Sequence, residues 1–217
     1  MKLTKDLYLR IISSLFLIPL TIFIIHVGSV LFILYIFILL FLSVYEWHKM
    51  SFGKKYYLIG VIFIFFSFYC VASIRFDESP DAILNFIFVL FVCVGTDIGG
   101  YMFGKFFKGP KLTKISPNKT YSGVLGGYLI SFLFINIIFV NPFSYFPNTF
   151  QINSSLLITY LILSTISQLG DLLISYFKRK LNIKDTGKII PGHGGILDRI
   201  DGMIFAFPSY YLLNQLS

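Results

Sequence analysis

The chain has 217 residues, 56% hydrophobic, 19% aromatic and only 13% charged, with a formal net charge of +8. Soluble domains carry about 25% charged residues, so the composition excludes an ordinary soluble protein and reads as an all-α, polytopic integral membrane protein. The basic excess does not point to nucleic acid, because the Lys and Arg residues sit in short polar segments between apolar runs. Cys70 and Cys93 lie inside apolar runs and are expected to be reduced core residues outside any disulfide framework. No internal repeat or low-complexity linker is visible. The expectation is one integral domain over 1–217, with N-terminal spans in 1–81 and the functional spans and loops in 82–217.

Met1–Arg10 is basic, and Ile11–Ile25 follows as the first expected span. No small-x-small site follows it, so it reads as an uncleaved helix that tolerates Pro19. Val30–Tyr45 is the second span, and Glu46–Tyr56 a short loop with Lys49, Lys54 and Lys55. Tyr57–Ile74 is the third span, and Arg75–Asp81 an acidic turn. Ala82–Phe103 is the fourth, expected to be interrupted near its end by Gly95, Asp97, Gly99 and Gly100. Gly104–Lys119 is a basic loop, Val124–Val140 the fifth span and Asn141–Ser154 an uncharged loop. Leu156–Ile174 is the sixth span, and Met203–Leu213 a short seventh. With about seven alternating spans, 17 of the 18 Lys and Arg fall on one side, and only Arg75 on the other. The positive-inside rule then puts the N-terminus and the polar stretch before the last span in the cytoplasm.

Two stretches break the apolar pattern. In the first, Asp97 sits in an apolar run, where an ionisable side chain is costly unless paired or wetted. Asp97 and Tyr101 are one helical turn apart. The glycines Gly100 and Gly104 fit close helix packing, or Asp97 serves a polar site. Ser116-Pro117 has the form of a helix start, with Ser as cap and Pro in the first turn. Asn118-Lys119-Thr120 would then be the first turn, with free N–H groups and the Lys119 charge open to a phosphate. The plainer reading is a capped helix with Lys119 as an interfacial anchor.

The second stretch, Ser175–Asp201, is 27 residues long and holds six of the 18 Lys and Arg and three of the 10 acids. Pro191-Gly192-His193-Gly194-Gly195 cannot be helical. Cations suit phosphates, bare backbone N–H groups can approach them, and acids hold a divalent metal. Asp171, Ser175 and Lys178 have the spacing of one helix stripe. Asp198 and Asp201, three apart, are expected on one face at the start of the last span. Oxygen donors together with phosphates favour magnesium (Mg2+) on Asp171, Asp198 and Asp201, as one ion or two.

The second stretch also resembles the signature of the phosphatidate cytidylyltransferases. The matching residues are Ser175, Phe177-Lys178-Arg179, Lys184-Asp185, Gly187, Ile190-Pro191, His193-Gly194-Gly195-Ile196 and Asp198-Arg199-Ile200-Asp201. The first stretch is similar to a second family segment through Asp97, Gly100, Tyr101, Gly104, Ser116, Pro117, Lys119, Thr120, Tyr121, Gly123, Gly126 and Gly127. Ser122 departs from it, standing where the family usually has Glu or Gln. Together with Gln168-x-Gly170-Asp171, the resemblance covers about the C-terminal 120 residues. It implies an enzyme that transfers a cytidylyl group from CTP to phosphatidate in the membrane, giving CDP-diacylglycerol and pyrophosphate. It implies catalytic roles for Lys119, Arg179, Lys184, His193, Asp198 and Asp201. Substrate contacts are implied for Asp97, Tyr101, Ser116, Thr120, Ser175, Lys178 and Arg199. The expected location is the bacterial inner membrane with a cytoplasmic active site, and a homodimer is left open. Two rivals are weighed: a polyprenol- or phytol-type lipid kinase, and a cation-coupled transporter with Asp97 and Asp171 in its path. The intact signature argues against the first, and the gathering of polar residues at one membrane face against the second.

Overall fold

A computed structural model describes residues 5–113, 115–137 and 154–216. The expected loop after the fifth span lies outside the described residues up to Ser154. Within them the chain forms α1 (Lys5–Val27), α2 (Ser29–Ser51), α3 (Tyr57–Arg75), α4 (Ala82–Phe107), α5 (Tyr121–Ile135), α6 (Ser154–Lys180), α7 (Leu197–Ile200) and α8 (Met203–Leu216). The only β pairing among the described residues is two isolated bridges, Lys111 with Thr120 and Ile190 with Gly194.

A segment in hydrocarbon must satisfy its backbone groups internally, which a helix does. Among the described residues four helices, α2, α3, α4 and α6, are long and apolar enough to cross a membrane. Leu15–Val27 and α5 are apolar but shorter. Many large apolar side chains face outward although the core is also mostly apolar. Leu15, Phe41 and Leu125 are 76%, 71% and 70% exposed, while Ser43, Ser67 and Ser131 are buried. Each of these serines donates to the carbonyl one turn earlier, on Leu39, Phe63 and Gly127. Large exposed apolar faces of this kind fit a lipid surface.

The sequence expectations need three corrections in the helices. α2 continues past Tyr45 to Ser51, so Glu46 is helical and not in a loop. α4 is unbroken through Gly95–Gly100. Its glycines face α5: a Cβ on Gly99 would run into the Gly126 carbonyl. The glycines therefore allow backbone-to-backbone contact and leave the helix whole. α6 runs on through Ser175–Lys180, so the second polar stretch opens as helix.

The chain divides into two compact units, Met1–Ala72 with Lys178–Ile200, and Ser73–Phe177 with Asp201–Ser217. In the first, Gly28 (φ 62) turns α1 into α2, and Thr21 Oγ1 meets Tyr35 Oη at 2.8 Å. Trp47 Nε1 donates to the Tyr57 carbonyl at 3.0 Å and fixes the turn into α3. In the second, Thr96 and Ser164 hydroxyls meet at 2.9 Å between α4 and α6, and Tyr128 and Thr165 at 2.7 Å between α5 and α6. Phe86–Phe207 and Phe88–Tyr210 ring pairs seat α8 on α4. Cys70 and Cys93 are buried free thiols, one in each unit.

Candidate functional site

In the second unit the site is built around Lys119. The helix start expected at Ser116-Pro117 does not form there. The Ser116 carbonyl accepts from Lys119 N at 3.0 Å, closing a turn, and Leu112 N donates to the Lys119 carbonyl at 2.8 Å. Thr120 is extended (φ −125, ψ 158), and its hydroxyl accepts from Gly123 N at 3.1 Å, so Thr120 caps α5. An N-cap must keep extended backbone while its side chain takes an orphan N–H. Thr120 meets both conditions, and Ser116 is occupied by its own turn. Lys119 therefore precedes the helix. Its ammonium pairs with Asp171 at 2.5 Å and reaches the Gln168 carbonyl at 3.4 Å. Ser175 Oγ donates to Asp171 at 3.4 Å. The Gln168 side-chain nitrogen is buried without a hydrogen-bond partner among the described residues. Asp97 is exposed on α4, and Tyr101, one turn on, lies under the Lys105 ammonium at 5.5 Å from the ring centre. Asp201 is buried, and its carboxylate accepts from Gly202 N at 3.0 Å.

In the first unit the signature loop is folded on two carboxylates. Lys178 donates to Asp198 Oδ1 at 2.8 Å, with side chains only 10% and 4% exposed. Asp198 Oδ2 accepts from Thr186 N at 2.8 Å and Gly195 N at 3.0 Å. Glu46, from α2, accepts from Thr186 Oγ1, Ile196 N and Leu197 N. The expectation of bare loop amides waiting for phosphate is thus corrected: protein carboxylates take the amides of Thr186, Gly195, Ile196 and Leu197. Gly192 and Gly194 have φ 75 and 90, so the turn requires glycine there. His193 is half-buried, with Nδ1 at 2.8 Å from Ser13 Oγ, and Arg199 donates to its carbonyl at 2.8 Å. Arg179 donates to the Ile183 carbonyl at 3.2 Å, and its side chain is exposed, as is that of Lys184. Asp198 stands in the short α7, and Asp201 in the turn before α8. The expected shared face on the last span is therefore not formed.

Among the described residues no three of His, Cys, Asp and Glu are gathered as a metal cage. The donor chemistry nonetheless suits magnesium, which takes oxygen ligands. Asp171 and Asp198 each already hold a cation, the ammonium of Lys119 or of Lys178.

The residue that sequence reasoning missed is Glu46. It is 1% exposed, whereas the sequence expectation places it at the start of a short loop, Glu46–Tyr56. A signal was present, because an acid set in the aromatic end of an apolar run requires a partner.

A model of the Cytidylyltransferase family matches residues 52–217. Phosphatidate cytidylyltransferase of Rickettsia bellii is 38% identical over 99% of this chain and 94% of its own length. That of Rickettsia prowazekii is 36% identical over 97% and 92%. That of Brucella suis is 34% identical over 81% of this chain and 62% of its own. The chain belongs to the cytidylyltransferase family.

Proposed function

We propose that this protein transfers the cytidylyl group of CTP to phosphatidate, giving CDP-diacylglycerol and pyrophosphate for phospholipid synthesis. The observation that carries the reading is the likeness to relatives of that name over nearly the whole chain. A phosphate oxygen of phosphatidate attacks the α-phosphorus of CTP. A new O–P bond forms as the bond from the α-phosphorus to the bridging oxygen breaks, and pyrophosphate leaves. The nucleophile is ionised near neutral pH, so no strong general base is needed. The protein contributes positioning and charge neutralisation.

Lys119, Arg179 and Lys184 supply positive charge to the triphosphate and the lipid phosphate, and Lys178 and Arg199 support them. Asp97, Tyr101, Ser116, Thr120 and Ser175 contribute polar contacts around the substrates, and His193 a donor in the glycine turn. Asp171, Asp198 and Asp201 are the carboxylates that would hold magnesium, which when bound neutralises phosphate charge. Lys119 and Lys178, which pair with Asp171 and Asp198, are the ammonium groups beside those carboxylates that would meet a phosphate. The active site faces the cytoplasm of a bacterial inner membrane, a reading that the charge asymmetry supports for the orientation. A homodimer is open to light scattering in detergent.

Purified protein given CTP and phosphatidate should release pyrophosphate and CDP-diacylglycerol in equal amounts. Polyprenol or phytol offered in place of phosphatidate should gain no phosphate. Phosphorylation of those alcohols would restore the lipid-kinase reading.

A further inference from the structure

Glu46 lies outside the segment that the family model matches, which begins at residue 52. It nonetheless accepts three hydrogen bonds, as many as Asp198 of the signature does. Oε1 accepts from Ile196 N at 3.0 Å, and Oε2 accepts from Leu197 N and Thr186 Oγ1, both at 2.9 Å. The side chain is 1% exposed. Burying a carboxylate is costly unless its lone pairs are satisfied, and here three donors from one loop satisfy them. The loop is shaped to the carboxylate in return. A Cβ on Gly187 would run into Glu46 Oε1, and one on Gly195 would stand at 2.5 Å from Oε2. The two signature glycines are therefore required by a protein carboxylate. Adjacent to it, Trp47 is anchored to the Tyr57 carbonyl and is 3% exposed, so the helix end that presents Glu46 is itself fixed.

Between the amides and hydroxyl that Glu46 holds run Gly187 to Gly195, with His193 at the turn. Lys184 and Asp185 immediately precede Thr186. Asp198 holds the same two ends through Thr186 N and Gly195 N. The loop is thus pinned at both ends by two carboxylates, one from the signature itself and one from α2. We propose that Glu46 is a positioning residue for cytidylyl transfer, acting as the internal anion that folds the signature loop and sets Lys184 and His193 for the substrates. The proposal rests on the activity argued above, but its structural half can be measured without that activity.

The test is Glu46→Gln, which keeps the volume but replaces one acceptor oxygen with a donor that faces backbone N–H groups. Hydrogen exchange of the Ile196 and Leu197 amides should accelerate about 10- to 150-fold, the scale for losing a bond to a charged group. The value of kcat should fall by about 100-fold, as for a displaced catalytic group. Thermal unfolding of the helices should stay near wild type, and KM for phosphatidate should hold within about twofold. Unchanged exchange, or wild-type kcat with the loop loosened, overturns the proposal. If Glu46→Gln does not insert, Thr186→Val removes only the hydroxyl donor. It should give the same pattern at smaller size, and unchanged exchange and kcat there are equally fatal. Wild-type protein that makes no CDP-diacylglycerol overturns the assigned activity instead, and the exchange data still decide whether Glu46 folds the loop.

Discussion

Lys119 sits before the capped turn of α5, with its ammonium on Asp171 and its side chain 24% exposed. That is enough access for an incoming phosphate to compete for it. Loss of a bond to a charged phosphate is worth about 1.5–3 kcal/mol, so Lys119→Ala should lower kcat/KM for CTP by about 10- to 150-fold without unfolding the protein. Steady-state kinetics on the purified variant checks this, and an unchanged value makes Lys119 an anchor only. Asp201 gives the matching test for magnesium. Asp201→Asn should insert and melt like wild type, turn over orders of magnitude more slowly, and need more magnesium for half-maximal rate. Normal turnover of Asp201→Asn at the wild-type magnesium optimum removes the metal assignment. At this scale the sequence showed which side chains carry charge, because Lys119, Asp171, Lys178 and Asp198 stand out in an apolar chain. It did not show that they pair with one another, since those partners are distant in sequence and are brought together only by folding.

Among the elements, the α4–α5 contact depends on single glycines. A Cβ on Gly99 would run into the Gly126 carbonyl, whereas one on Gly100 meets only the Gly123 carbonyl at 3.8 Å. Overpacking a tight interface costs about 1–3 kcal/mol, so Gly99→Ala should lower the unfolding temperature in detergent. Gly100→Ala should not, and equal effects at the two positions contradict the contact. Of the expected spans, α2, α3, α4 and α6 are long and apolar enough to cross a membrane, as hydropathy alone indicates, but the ends of α2 and α4 are not legible from it. Polarity reads Glu46 and Asp97 as marks of loop or interruption, yet both are helical: donors from the loop satisfy Glu46, and Asp97 stands on an exposed face. Polarity alone cannot tell a helix end from a helical residue with a distant partner. The start of α5 was misread for a related reason. Ser116 and Thr120 both have cap chemistry, and only the turn closed by Lys119 N decides between them.

For the whole molecule, the 17-to-1 distribution of basic residues fixes an expected orientation. In a background with Cys70 and Cys93 replaced by alanine, Lys111→Cys and Lys188→Cys should react with an impermeant thiol reagent only from the cytoplasmic side. Glu78→Cys should react only from outside, and labelling of Lys188→Cys from outside contradicts the seven-span arrangement. The central claim is chemical and concerns which phosphorus of CTP reaches the lipid. Purified protein with phosphatidate should be given CTP labelled at the α-phosphate in one reaction and at the γ-phosphate in another. Cytidylyl transfer puts the α label in the lipid product and leaves all of the γ label in water-soluble pyrophosphate. The γ label in the lipid, with the α label left in soluble CDP, would contradict it.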